Sequence, residues 1–211
     1  LSTVRATREA SFEELCSRAL GFLDQMLLCG TTSCEAKSGY GLDLETELKQ
    51  LRVARYCDER HPVDVVSTFL GAHAIPRTAH RETYISQVIE MLPVVKGQEL
   101  AEFVDVFCDE GAFTIDETRR ILLSAKELGF CLKVHADEIK WTGATELACE
   151  LGAVSCDHLI KVSEQGIRAL AESETTAVLL PATSVFLGEC PGAPGRALID
   201  AGAAEIGRAH V

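Results

Sequence analysis

The sequence predicts a parallel α/β fold built from repeated βα units, and three observations carry that reading. Hydrophobic periodicity switches repeatedly between about 2 and about 3.6 along the chain. The runs TAVLLPAT and FVDVF lean apolar throughout, as strands buried on both faces must. Helix start and stop signals then punctuate the chain: Ser11 with Glu14 and Thr114 with Glu117 each form a capping box. Gly129 and Gly152 stand where a left-handed C-cap favours glycine.

Taken in order, strand candidates fall at residues 26–36, 65–74, 103–109, 130–136, 153–158 and 177–183. Helical patterns lie between them, among them FEELCSRALGFLDQM after Ser11, TRRILLSAKELG after Thr114 and ATELACEL before Gly152. Pro181 sits in the last strand candidate; having no N–H to donate, it must be terminal or irregular there. No internal repeat, low-complexity stretch or linker divides the chain. Six βα units are an awkward number, because a closed eight-stranded barrel takes about 250 residues. An open doubly wound sheet is the alternative, and it normally shows a glycine-rich phosphate turn at its switch point. The GYG at 39–41 is not such a turn, since GxGxxG fails at its last position.

The chain has 211 residues, 47% hydrophobic and 25% charged, which suits a soluble globular protein with a substantial core. A formal charge of −12 argues against nucleic acid or an anionic membrane as partner and favours solubility. Nine cysteines contain no CxxC pair, and a reducing, cytoplasmic setting fits them best. No apolar run approaches the ~20 residues of a membrane span. The opening LSTVRATREAS has neither an initiating methionine nor signal-peptide anatomy, and reads as the middle of a longer sequence.

Barrel enzymes place reactive groups at the C-terminal ends of strands. There the sequence offers Glu35, Lys37 and Tyr40, then His73, then Asp109 and Glu110. His135 comes next with Asp137 and Glu138, then Asp157 with His158, and finally Thr183 and Ser184. Three of the six histidines thus end strands. Two imidazoles from successive strand ends are how a parallel barrel assembles a metal-assisted hydrolytic site. Blander readings stand beside this one: His135 as a structural histidine, Lys37 as a snorkelling surface lysine, Tyr40 as a plug. His61 and His80 lie in polar loops and read as solvated. A mononuclear site needs three or four N/O ligands and one open position. His135 is one candidate and His158 a second, but no H-x-H pair occurs anywhere in the chain.

The blocks EAKSGYGLD, TFLGAHAIP, FCDEGAFT, LKVHADEI, GATELACELGAVSCDHL and AVLLPATSVFLG together resemble imidazolonepropionase, a histidine-degradation family of the amidohydrolase superfamily. The resemblance implies a partial (β/α)8 TIM barrel, about strands 2 to 7 of a metal-dependent amidohydrolase barrel, over residues 1–205. It places residues 206–211, IGRAHV, outside the fold as an adapter-derived tail, so that His210 is no ligand. It makes His135 a metal ligand to one zinc or iron ion. Glu138 becomes the carboxylate that binds the imidazolone ring and orients the hydrolytic water, and His158 the catalytic group that steadies the oxyanion. Tyr40 and His73 resemble substrate contacts. The implied reaction is hydrolysis of the cyclic C–N bond of 4-imidazolone-5-propanoate to N-formimidoyl-L-glutamate. The small-molecule substrate is then the main partner, and a homodimer stays open for the complete enzyme. The family's H-x-H, arginine and aspartate site residues are missing, so the chain alone is expected to be inactive. Two alternatives stay open: a non-catalytic truncated product, or an amidohydrolase acting on another cyclic amide.

Overall fold

A computed structural model describes residues 2–189 and 191–207. Of the tail expected at 206–211, residues 208–211, His210 among them, lie outside the described residues, while Ile206 and Gly207 belong to a strand and not to an appended tail. The chain divides into two compact units, with the boundary between Val104 and Asp105.

The first unit opens with α1 (Ser2–Glu9) and α2 (Phe12–Leu28), followed by β1 (Ser33–Lys37), α3 (Leu44–Asp58), β2 (Asp64–Ala72) and α4 (Arg81–Gly97). β1 and β2 pair in parallel, Ser33 opposite Asp64 and Lys37 opposite Thr68. Ser11 caps α2 with the expected reciprocal box: its hydroxyl accepts from the Glu14 N–H, and the Glu14 carboxylate accepts from the Ser11 N–H. The first strand was expected at 26–36, but residues to Leu28 continue α2. The reason is periodic. Cys16, Ala19, Leu20, Leu23 and Met26 recur at helical spacing and pack against Val53, Cys57, Val63 and Val65.

The second unit takes up β3 (Phe103–Cys108) from Asp105 onward and continues with α5 (Ile115–Glu127), β4 (Cys131–Ala136), α6 (Ala144–Leu151) and β5 (Ser155–His158). It closes with α7 (Glu164–Ala171), β6 (Thr176–Leu179), α8 (Pro181–Phe186), α9 (Gly195–Ala201) and β7 (Glu205–Gly207). Its strands succeed one another in chain order and pair in parallel from β4 to β7. Along β4, Leu132, Val134 and Ala136 are buried, while the alternate positions carry Lys133 and His135. Thr114 and Glu117 form the second expected capping box, and Gly129 and Gly152 take the left-handed conformation foreseen for them, at φ 76° and 71°.

Two differences from the sequence reading have physical reasons. The last candidate strand stops at Leu179, because Pro181 opens α8 in the first turn, where its missing N–H leaves no helical bond unmade. Thr183 and Ser184, expected at a strand end, therefore lie in a helix. A seventh strand, β7, pairs Glu205, Ile206 and Gly207 with Ala177, Val178 and Leu179. Three residues are too few to show an alternation, so periodicity could not reveal it. Among the described residues no helix is long and apolar enough to cross a membrane.

Candidate active site

In the second unit, β3, β4, β5 and the loop after β4 bring five ionisable side chains together. Asp105 lies within β3, fully buried between Val104 and Val106. Both its carboxylate oxygens stand 3.0 Å from His135 Nδ1, on β4. Asp157, on β5, is the register partner of His135 and is also buried. The His135 ring packs edge-on near Phe107, with centroids 5.8 Å apart, and lies 5.2 Å from the ring of His158. His158 ends β5 with φ 82°, a conformation a non-glycine residue rarely takes, and such strain concentrates at functional sites. Its Nδ1 is 3.1 Å from Glu138 Oε1. Burial pushes the Glu138 carboxyl above its ordinary range; the nearby His135 opposes that shift and Asp109 adds to it.

The loop after β4 that carries Glu138 is held by two buried carboxylates. Asp109 accepts the N–H groups of Glu138, Ile139 and Lys140 at 2.9, 2.8 and 3.0 Å. Asp137, itself at φ 51°, accepts the Thr142 N–H at 2.7 Å and the Thr145 hydroxyl at 2.6 Å.

The first unit places Tyr40 and His73 against each other, edge-on with centroids 4.9 Å apart. His73 Nδ1 lies 3.1 Å from the Gly39 carbonyl. Tyr40 is 42% exposed. Its loop is pinned from below by Glu47, fully buried in the first turn of α3, which accepts the N–H groups of Gly39, Gly41 and Leu42, each at 2.8 Å. The two glycines around Tyr40 have a steric cause. A Cβ on Gly39 would lie 2.9 Å from the Leu70 carbonyl oxygen, and one on Gly41 would lie 2.7 Å from the Glu47 nitrogen.

Other expectations are corrected. Lys37 is not a surface lysine: its largely buried ammonium lies 3.1 Å from Glu35, which also accepts a hydrogen bond from Thr68. His61 is not solvated. Its Nδ1 accepts the Val63 N–H at 3.1 Å, and its Nε2 lies 3.3 Å from Asp24. His80 is exposed, as expected. Sequence reasoning missed Asp105 and Glu47. Asp105 had one visible signal, a lone carboxylate inside the apolar run FVDVF; Glu47 had none.

Asp105, His135 and Asp157 offer three ligand atoms that all lie within 4.8 Å of one another. One imidazole and two carboxylates supply the N/O donors and negative charge that suit a divalent cation. An orienting carboxylate behind a histidine is also what metal-ligating imidazoles use. The residues present therefore fit a metal ion. They would also form a hydrogen-bonded charge cluster without one.

Comparison with known proteins finds likeness first in fold and then in sequence. No family model matches the chain. Its fold is that of an adenine deaminase from Arthrobacter aurescens, with a TM-score of 0.74 at 13% identity, covering 96% of this chain and 64% of that one. An adenosine deaminase from Xanthomonas campestris solved with bound zinc aligns with a TM-score of 0.65 at 16% identity, over 95% of this chain and 47% of that one. The fold class is thus a partial (β/α)8 barrel.

In sequence the chain is similar to proteins named imidazolonepropionase: it is 52% identical over 206 residues to the one from Bacillus cytotoxicus. The match takes in 97% of the chain and 49% of that relative, so the chain spans about half the length of the curated relatives it matches.

Proposed function

We propose that this chain is the portion of a metal-dependent hydrolase that supplies Glu138, His158 and metal-ligating His135, and that the whole protein opens the ring of 4-imidazolone-5-propanoate. The observation that carries this reading is the convergence of His135, Glu138 and His158 in one buried cluster, reached from two successive strand ends. Zinc or iron, when bound, supplies Lewis-acid polarisation and lowers the pKa of a water towards about 7. His135 would hold that ion, with Asp105 and Asp157 completing the donors this chain offers.

The side chains divide the remaining tasks. Glu138 accepts a proton from the attacking water and returns it to the ring nitrogen as the C–N bond breaks, giving N-formimidoyl-L-glutamate. A carboxyl raised by burial is suited to that exchange, because its protonated form survives closer to neutral pH. His158, at 3.1 Å from Glu138, donates a hydrogen bond to the oxygen that gains charge at the ring carbonyl. With no H-x-H pair in its sequence, the 211-residue chain turns nothing over alone.

A chimera tests the assignment. The stretch of the Bacillus cytotoxicus enzyme that matches this chain is replaced by this chain's own residues. Turnover of 4-imidazolone-5-propanoate in the folded chimera is the expected outcome. His158→Ala should then lower kcat by about 10²–10³-fold while bound metal, measured by elemental analysis, is unchanged. A folded, metal-loaded chimera with no turnover, or an unimpaired His158→Ala variant, overturns the reading.

A further inference from the structure

We propose that Asp109 is a positioning residue: its carboxylate fixes the backbone of the loop after β4 and thereby sets Glu138 against His158. Asp109 comes directly after β3 and is only 4% exposed. Its Oδ2 accepts from Glu138 N at 2.9 Å and Ile139 N at 2.8 Å. Its Oδ1 accepts from Lys140 N at 3.0 Å and from Glu110 N at 2.7 Å. Two oxygens thus serve four backbone donors, three of them consecutive in a loop otherwise lacking regular structure.

The other anchors of this loop act on either side of Glu138. Asp137 holds Thr142 and Thr145, and the Asp137 carbonyl accepts the Lys161 N–H at 2.7 Å. These bonds fix where the loop leaves β4 and where α6 begins. The Glu138 peptide itself is held by Asp109. Because Asp137 sits at φ 51°, the chain turns sharply just before Glu138. A small rotation there would carry the Glu138 carboxylate away from His158 Nδ1, which it now meets at 3.1 Å. The catalytic value of that contact rests on the function proposed above; the positioning itself does not.

The chemistry requires a carboxylate. An asparagine keeps one oxygen, so whichever way its amide is flipped, two backbone N–H groups face an –NH2 that cannot accept from them. Asp109→Asn is therefore nearly isosteric yet predicted to release the loop. In the 211-residue chain, the two repelled N–H groups should lift the whole run off residue 109, so amide hydrogen exchange at Glu138, Ile139 and Lys140 should accelerate at least tenfold in Asp109→Asn. The amides of Thr142 and Thr145 should stay protected, and the ring NMR signals of His158 should shift as the Glu138 contact is lost. Unchanged His158 ring signals together with three faster amides would overturn the proposal, and so would unchanged exchange.

If Asp109→Asn does not fold, the unmodified chain still decides the matter. Below the unfolding midpoint, graded denaturant should open the three amides and shift the His158 ring in a single local transition. A His158 ring that stays native after those amides have exchanged refutes positioning. In the chimera, Glu138→Gln should cost about 10²-fold or more in kcat. Asp109→Asn added to Glu138→Gln should cost no more, since Asp109 acts through Glu138; full additivity counts against the proposal. A harmless Glu138→Gln would instead sink the role given to Glu138 and leave the positioning result standing.

Discussion

Glu47 and Asp109 answer one physical problem in the same way. A loop outside regular structure leaves several backbone N–H groups pointing into protein, and each buried donor left unpaired costs about 1–3 kcal/mol. A single carboxylate with two oxygens can accept from three or four of them. Glu47→Gln should therefore destabilise the chain by about 1–3 kcal/mol, because the new –NH2 opposes one of the N–H groups of Gly39, Gly41 or Leu42. A lower urea midpoint at an unchanged m-value would register it. No loss of stability would mean that the loop re-pairs with water. At this scale the sequence was uneven. His135, Glu138 and His158 could be singled out as candidates because unusual residue types stood at strand ends. Asp105 and Glu47 could not be read with them, because their partners are donors contributed by segments with no fixed spacing from them. A glutamate in a helix's first turn looks like any dipole-compensating surface carboxylate.

Among the elements, caps were legible and strand limits less so. Ser11 and Thr114 announce their helices through side-chain chemistry local to four residues, and the structure shows both boxes closed. Thr114→Ala should cost about 1 kcal/mol, by freeing the Glu117 N–H and unlocking the reciprocal bond to the Thr114 N–H. Chemical denaturation would measure the loss, and a change within error would show the box to be ornamental. The overlong first strand at 26–36 shows the opposite case. Met26, Leu27 and Leu28 form a short apolar run that fits either period, and only the partners of Cys16 and Leu23 in the core decide for helix. Pro181 was flagged as irregular, but a proline can end a strand or open a helix, and its own chemistry does not choose between them.

For the molecule as a whole, the cysteines make a connected prediction. None of the eight described cysteines is in a disulfide, and several are buried. Burial pushes the thiols of Cys57 and Cys108 up to about 11 from 9.0, and that of Cys156 well above it. An unfolded thiol loses its proton first, so these groups leave stability intact below pH about 9 and erode it as pH climbs towards about 11. Urea midpoints should fall over that window, and less steeply for Cys108→Ala; a flat profile would contradict the shifts. In native protein at neutral pH, exposed Cys29 and Cys131 should alkylate well before these three. The fold class was legible at this scale because periodicity is a property of the whole chain. The donor trio was not, since it exists only once three strands lie side by side. The clearance around Gly39 and Gly41 has a consequence for how such a protein can diversify. Any side chain at either position strikes a neighbouring backbone, whereas the phenol between them projects outward. The chemistry this loop shows to its surroundings can therefore drift through residue 40, over a scaffold that admits no bulk on either side of it.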